Sequence, residues 1–324
     1  MKVITARNVN NAYLQGMEYL LHEHIRRGSR AGDVMEAPGP VTTVYVRPYE
    51  RVLFNDARDA NPYFHLMEAL WMLAGRRDVA FVQQFNSRIH QYSDDGSTFH
   101  GAYGHRWRNH FNVDQLQTAA RTLLKDRDTR RVVVQMWDFP DLWREGKDVP
   151  CNTHIYFKPK PDMTLDMTVC CRSNDIIWGC YGANVVHMSM LHEWMAAASQ
   201  MQVGLYRQVS DSYHAYVDVF DKMWPLMRAG HWDGYSYGTW NHPHLPVVDI
   251  DPLDWLHEVE RFCAEGPGGS YESHWIKNVA VPMWWSWDRY KAKRWRDART
   301  AAGAIAAWDW QAACLTWLTK REGK

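Results

Sequence analysis

The chain has 324 residues, enough for one large domain or two ordinary ones. Lys plus Arg equals Asp plus Glu at 37 each, so nothing draws the whole molecule toward nucleic acid or an anionic membrane, and only a local cluster could hold phosphate. No apolar run approaches the ~20 residues needed to cross a bilayer, and "MKVITARNVNNAYLQG" is too polar for the core of a secretion signal.

The expectation is therefore a cytoplasmic protein whose six cysteines, at 151, 170, 171, 180, 263 and 314, are free thiols. None forms a C-x-x-C pair, so no metal site is expected. Tryptophan is abundant, at 18 residues, which suits a large core with grooves for flat ligands.

Along the chain, Val9, Tyr13, Met17, Leu20 and Leu21 keep helical spacing within residues 7–27, and "SRAGD" at 29–33 breaks the pattern. "PVTTVYVRPYERVLF", 40–54, is β-branched and aromatic and predicts a strand with a turn near Pro48. "NPYFHLMEALWMLAG", 61–75, opens on Asn-Pro and closes on Gly, which predicts a buried helix. "DDGSTFHGAYGHRW" reads as loop, and 113–126 as an amphipathic helix. "RRVVVQMW", "CNTHIYFKP" and "TLDMTVCCR" are successive strands, "NVVHMSMLHEWMAAASQM" is a long buried helix, and "GLYRQVSDSYHAY" is another strand. From about 221 onward the pattern is helix and loop. Strands and helices without strict alternation give an α+β architecture.

In "DVPCNTHIYF", Cys151 follows a proline and opens a strand. A thiol is a strong nucleophile once ionised, and cations promote that. Three turns carry them: Arg30 in "GSRAGD", Arg130 and Arg131 in "DTRRVVV", and Arg172 with Ser173 in "CCRSND". If these turns converge, the guanidiniums and the hydroxyl make a bidentate phosphate clamp.

Taken in order, Arg30-Ala31-Gly32, Glu68 in "MEALWML", Tyr103-Gly104 and Trp107, Arg130-Arg131, Pro150-Cys151, Arg172-Ser173-Asn174-Asp175 with Gly179, and His214-Ala215-Tyr216 resemble the thymidylate synthase family, including its pyrimidine-nucleotide hydroxymethylase branch. The resemblance spans roughly residues 7–230. It implies a mixed sheet covered by helices and a homodimer packed sheet to sheet. The expected division is a catalytic core over 1–230 and, from the helix-and-loop pattern that follows, a mainly helical extension over 231–324 packed on that core. Cys151 would add to carbon 6 of a pyrimidine ring. Arg30, Arg172 and Ser173 would bind the 5′-phosphate, with Arg130 and Arg131 supplied across the dimer. His214 and Tyr216 would hold the sugar. Glu68 would organise water and protons, Tyr103 would lie beside the cysteine, and Asp175 would act catalytically between the pyrimidine and the co-substrate, 5,10-methylenetetrahydrofolate, which Trp71 and Gly179 would also face. Carbon 5 is a poor nucleophile until a thiolate adds at carbon 6, so the chemistry needs an activated thiol, a clamp holding reacting atoms about 3–3.5 Å apart, and groups to move protons.

Two departures from the methylating pattern favour hydroxymethylation. Asn152, not histidine, follows the cysteine, and the chain ends in "LTWLTKREGK" rather than an apolar closing segment. "RSNDIIWG" also resembles the hydroxymethylases. A site open to water gives a hydroxymethyl product. The family reads the base with a residue four positions after the glycine; here that is Ala183, with Asn184 one later. Asn184 could read uracil or cytosine if the loop shifts its register, or could cap the following helix. The branch resemblance favours dCMP or CMP, with dUMP hydroxymethylation or methylation to dTMP as alternatives. A non-catalytic nucleotide- or nucleic-acid-binding protein is the reading from another class. It would use "MWWSWDRYKAKRWRD", 283–297, although that segment reads better as one amphipathic helix with a solvated basic face. Cys170, Cys171 and Cys180 read as packing, "EGPGGS" as a turn, and His187 and His192 as satisfied core residues.

Overall fold

A computed structural model describes residues 1–228, 237 and 243–322. Its described strands are β1 (Lys2–Ala6), β2 (Ile25–Ser29), β3 (Gly32–Glu36), β4 (Val41–Tyr45), β5 (Val133–Gln135), β6 (Asn152–Pro159), β7 (Thr164–Asp175) and β8 (Gln202–Tyr216). They form one mixed sheet in the order β1-β4-β8-β7-β6-β5, and the β2–β3 hairpin joins the far half of β8 through β3. β7 and β8 run parallel, whereas β6 and β4 run antiparallel to them. The helices are α1 (Val9–His22), α2 (Pro62–Leu73), α3 (Val79–Gln83), α4 (Tyr103–His105), α5 (Gln115–Lys125), α6 (Asn184–Ala198), α7 (Val217–Arg228), α8 (Pro252–Glu265), α9 (Val281–Lys291), α10 (Trp295–Gly303) and α11 (Trp308–Thr319). The expected α+β arrangement of a mixed sheet with helices is present.

Strand pairing builds the site. Asp175 stands opposite His214 and Ser173 opposite Ser212 on the β7–β8 ladder, while Glu36 and Val34 of β3 stand opposite His214 and Tyr216. Asn152 pairs with Cys171, and a register shift follows before His154. Such an irregularity bends a strand and re-aims its side chains. Cys151 is thus carried to the end of the sheet where β7 and β8 finish and β3 begins, and the Arg172 N–H donates to its carbonyl at 2.9 Å.

Two buried helices lie against the sheet and each other. In α2, the Asn61 side chain accepts from the Phe64 N–H, Pro62 occupies the first turn, and every residue except Glu68 is buried. Gly75 follows at φ +70°, a conformation that glycine adopts without strain. α6 is buried on nearly all sides. Tryptophan and tyrosine tie the C-terminal helices to this pair and to the end of α3. Trp194 donates to the Pro252 carbonyl at 2.9 Å, Trp287 to that of Gln84 at 2.9 Å, and Tyr63 shares a 2.7 Å hydrogen bond with Ser286. No helix of the described residues is long and apolar enough to cross a membrane.

Four elements differ from expectation. The first helix stops at His22, and the chain turns back at Gly32, φ +124°, to form the β2–β3 hairpin. Only Val41–Tyr45 of the predicted 40–54 strand is paired. The "GAYGHRW" loop contains a turn of helix and a π-turn that bury Trp107. Residues 283–297 are not one helix: Lys293 at φ +58° separates α9 from α10.

Candidate active site

The Cys151 thiol lies at the rim of a cleft of about 670 Å³, the size of a small-molecule site. Burial pushes the thiol up from its ordinary value, Arg172 and Arg30 pull it down, and Asp148 opposes them. Arg172 is fixed beside the sulfur: its side chain donates to the carbonyls of Pro150 at 2.8 Å and Val149 at 3.0 Å, and reaches Sγ at 3.9 Å. Its guanidinium also lies 5.5 Å from the ring centre of Trp137. The Tyr103 hydroxyl accepts from the Cys151 and Asn152 N–H groups at 3.1 and 3.2 Å. Burial keeps that phenol protonated, so its own hydrogen remains available to donate.

The cleft collects most of the expected phosphate and sugar residues. Arg30 at the hairpin tip bridges to the Gly146 and Lys147 carbonyls at 2.6 and 3.2 Å, while Arg172, Ser173, His214 and Tyr216 line the walls. The His214 and Tyr216 rings meet edge to face at 5.9 Å. Arg27, Arg144 and Lys147 add cations that sequence reasoning missed. The signal for two of them was present in "WREGKDVPC", a basic stretch just upstream of the nucleophile. Arg130 and Arg131 are exposed and do not line this cleft; Arg131 lines a separate depression with Val113 and Gln115.

A second cleft, about 220 Å³, opens on the α2 side of Tyr103. Glu68, Trp71, Tyr103, Asp148, Asn184 and His187 line it. Trp71 is held by its N–H, which donates to the Asp78 carbonyl at 3.1 Å. Asp175 lies at the start of the 176–183 π-turn, where Oδ1 accepts from the Ile177 and Trp178 N–H groups at 2.7 and 2.8 Å. Its Oδ2 is buried without a partner among the described residues, and burial pushes the carboxyl up. The Trp178 ring, half-exposed, stacks 4.3 Å from the Arg58 guanidinium. Neither Asp175 nor Trp178 lines either cleft, so of the residues expected at the co-substrate only Trp71 faces this one.

Asn184 does not cap α6. Its amide donates to Asn174 Oδ1 at 3.2 Å, and Asn174 in turn donates to the Ser210 hydroxyl at 2.9 Å. Gly179 sits under this pair rather than in the cleft wall: a Cβ there would fall 3.1 Å from Asn174 Oδ1 and 3.3 Å from Asn184 Nδ2. The 176–183 π-turn that leads into Asn184 is kinked at Gly182 (φ −107°, ψ −108°).

His187 is not the satisfied core residue expected from α6. Its Nε2 lies 2.9 Å from Glu68 Oε2 without hydrogen-bond alignment, and neither ring nitrogen has a hydrogen bond among the described residues. His192 fits that expectation in part: its Nε2 lies 2.5 Å from the Leu165 carbonyl, while Nδ1 has no hydrogen bond among the described residues. Cys171 and Cys180 are buried and Cys170 is half-buried on a strand, as packing residues. No cluster of metal-binding side chains occurs among the described residues. Another cavity, of about 250 Å³, shares no lining residue with either cleft. Its Arg7 and Arg47 pair with Glu50, and its Arg51 with Glu193.

A family model described as thymidylate synthase matches residues 44–230. A deoxyuridylate hydroxymethyltransferase of Pseudomonas phage M6 is 46% identical over 332 aligned positions, covering 99% of this chain and 95% of the relative. Relatives of the same description from Bacillus phage SP01 and Delftia phage PhiW-14 are 37% and 33% identical. They align over 58% and 59% of this chain, and over 54% and 57% of their own lengths.

Proposed function

This chain belongs to the thymidylate synthase family, and from that premise we propose that it is a deoxyuridylate 5-hydroxymethylase. It is a one-carbon transferase of the pyrimidine hydroxymethylase branch. The preference for dCMP or CMP drawn from the sequence gains no support from these relatives; dUMP, the alternative, fits better.

The observation that carries the reading is the convergence of Arg30, Arg172, Ser173, His214 and Tyr216 on one cleft with Cys151 at its rim. In it the 5′-phosphate replaces the carbonyl partners of Arg30 and joins Arg172 and Ser173, while His214 and Tyr216 hold the sugar. The ring then reaches Cys151, whose thiolate adds to carbon 6. The Asn184 amide retains one N–H and its oxygen beyond the Asn174 contact, a donor and an acceptor for the uracil edge. Methylenetetrahydrofolate supplies the carbon at the formaldehyde oxidation level. Trp71 and Asp175 hold it, Gly179 leaves room beneath for the Asn174–Asn184 pair, and Tyr103 steadies the backbone of the nucleophile. Glu68 handles water and protons in the second cleft. Two subunits pack sheet to sheet, so that Arg130 and Arg131 complete the partner's phosphate site. Residues 1–230 form the catalytic core, and 231–324 form an extension that buttresses α2.

Mass analysis of products from dUMP and dCMP with methylenetetrahydrofolate tests this. The expected outcome is dUMP plus one formaldehyde equivalent with tetrahydrofolate released. A methylated product with dihydrofolate, or turnover of dCMP alone, overturns it.

A further inference from the structure

We propose that His187 is a positioning residue for hydration, holding Glu68 so that its carboxylate takes the proton of the water attacking the exocyclic methylene. The proposal rests on the hydroxymethylase reading above.

α6 is otherwise an apolar, buried helix, and His187 is only 4% exposed. A buried imidazole with neither nitrogen hydrogen-bonded is costly and marks a place where water or ligand completes the site. His187 falls three residues after Asn184, on the same helix face, and both line the second cleft with Glu68, Tyr103 and Asp148. A small rotation of the ring turns the 2.9 Å contact with Glu68 into a hydrogen bond. The titratable groups around the ring leave Glu68 as its partner. His65 of α2 is held neutral by burial, Tyr103 is held as the phenol, and Asp148 is committed to the Gly101 N–H at 2.8 Å.

The step balances without an oxidant or reductant. Water oxygen bonds to the exocyclic methylene carbon as the carbon–carbon π pair moves into the ring as an enolate. One water proton passes to Glu68, in contact with His187. The enolate pair then re-forms the double bond between carbons 5 and 6, the bond to Cys151 Sγ breaks, and the thiolate leaves. His187 orders the carboxylate, but does not touch the nucleotide phosphate or the sulfur.

Single-turnover reactions with enzyme in excess, dUMP tritiated at carbon 5 and methylenetetrahydrofolate test this on the full chain. Tritium release reports the steps before hydration, and mass analysis reports the hydroxymethyl product. His187→Phe is expected to release tritium at a near-normal rate while hydroxymethyl formation slows about 100-fold, the low end of a positioned proton acceptor's contribution. Added β-mercaptoethanol, a nucleophile independent of that carboxylate, should trap the methylene as a thioether. His187→Gln, which keeps an N–H for Glu68, should recover part of the rate. Product is read per tritium released, so a partly folded variant gives the same ratio, and dUMP quenching of tryptophan fluorescence verifies binding. An unchanged ratio in His187→Phe, or the same slowing in Gln and Phe, overturns the proposal. No tritium release from dUMP by the unaltered enzyme overturns the assigned reaction instead.

Discussion

At the scale of single residues, the site sets opposing charges around one sulfur. Burial and the Asp148 carboxylate both disfavour the Cys151 thiolate, and Arg172 and Arg30 favour it. Asp148→Asn keeps an acceptor for the Gly101 N–H but removes the negative charge. The thiol pKa should therefore fall, and alkylation by iodoacetamide at neutral pH should quicken several-fold. Arg172→Met should act in the opposite direction and slow it. A common alkylation rate in both variants would show that neither charge reaches the sulfur. On the proposed reading, base choice also turns on a single residue. Asn184 offers one donor and one acceptor after its contact with Asn174. Asn184→Asp replaces the donor with a second acceptor that suits the cytosine amino group. Steady-state kinetics should show dUMP turnover falling about 10- to 100-fold, the effect of one unmatched buried polar group, with dCMP turnover rising relative to it.

Elements place these residues, and they were unequally legible. β6, β7 and β8 were readable because β-branched and aromatic runs are bounded by turn residues, and α2 because Asn61, Pro62 and Gly75 mark both ends. The β2–β3 hairpin was not, because every residue of β2 is exposed and so no apolar alternation exists to detect. Arg30 could be picked out as a cation, but not the device that carries it. His187 was misread for the converse reason. On a helix apolar all round, the position facing a cleft looks like one facing the core. Arg106 was absent from the sequence reading, yet it ties the Tyr103 turn to the 139–142 turn. Wholly buried, it donates to both Asp141 oxygens at 2.6 and 3.0 Å and to the Met136 carbonyl at 2.7 Å, with His100 2.7 Å from Asp141. Burial alone would raise the Asp141 carboxyl; the bonds from Arg106, the Asp138 N–H and His100 outweigh it and hold it below the ordinary value. A depressed carboxyl contributes stability that is complete above the unfolded value, about 3.9, and is lost as pH falls through the folded one. Asp141→Ala strands the Arg106 charge and should cost about 3–5 kcal/mol at neutral pH. Thermal melts should show the gap between variant and wild type closing as the solution is acidified through the carboxylate range. A gap independent of pH would assign the loss to packing.

For the whole molecule, the question is why Arg130 and Arg131 stand exposed just before β5, off the cleft that holds Arg30 and Arg172. In the proposed dimer these two arginines, which do not line their own subunit's cleft, would serve the partner's, since a two-fold axis lets each chain present the same residues to the other. Complementation separates this from a solvated edge. Cys151→Ser chains lack a nucleophile, and Arg130→Ala/Arg131→Ala chains lack the borrowed cations, so each pure dimer should be nearly inactive. A mixed dimer has one site with both defects and one with neither. After subunit exchange at equal concentrations, random pairing makes half the dimers mixed, each half active, and activity should return to about a quarter of wild type. The recovery should depend on exchange, following its time course and vanishing if the dimers are cross-linked first. If the arginines act within their own chain, mixing can assemble no intact site, and activity stays at the sum of the two parents.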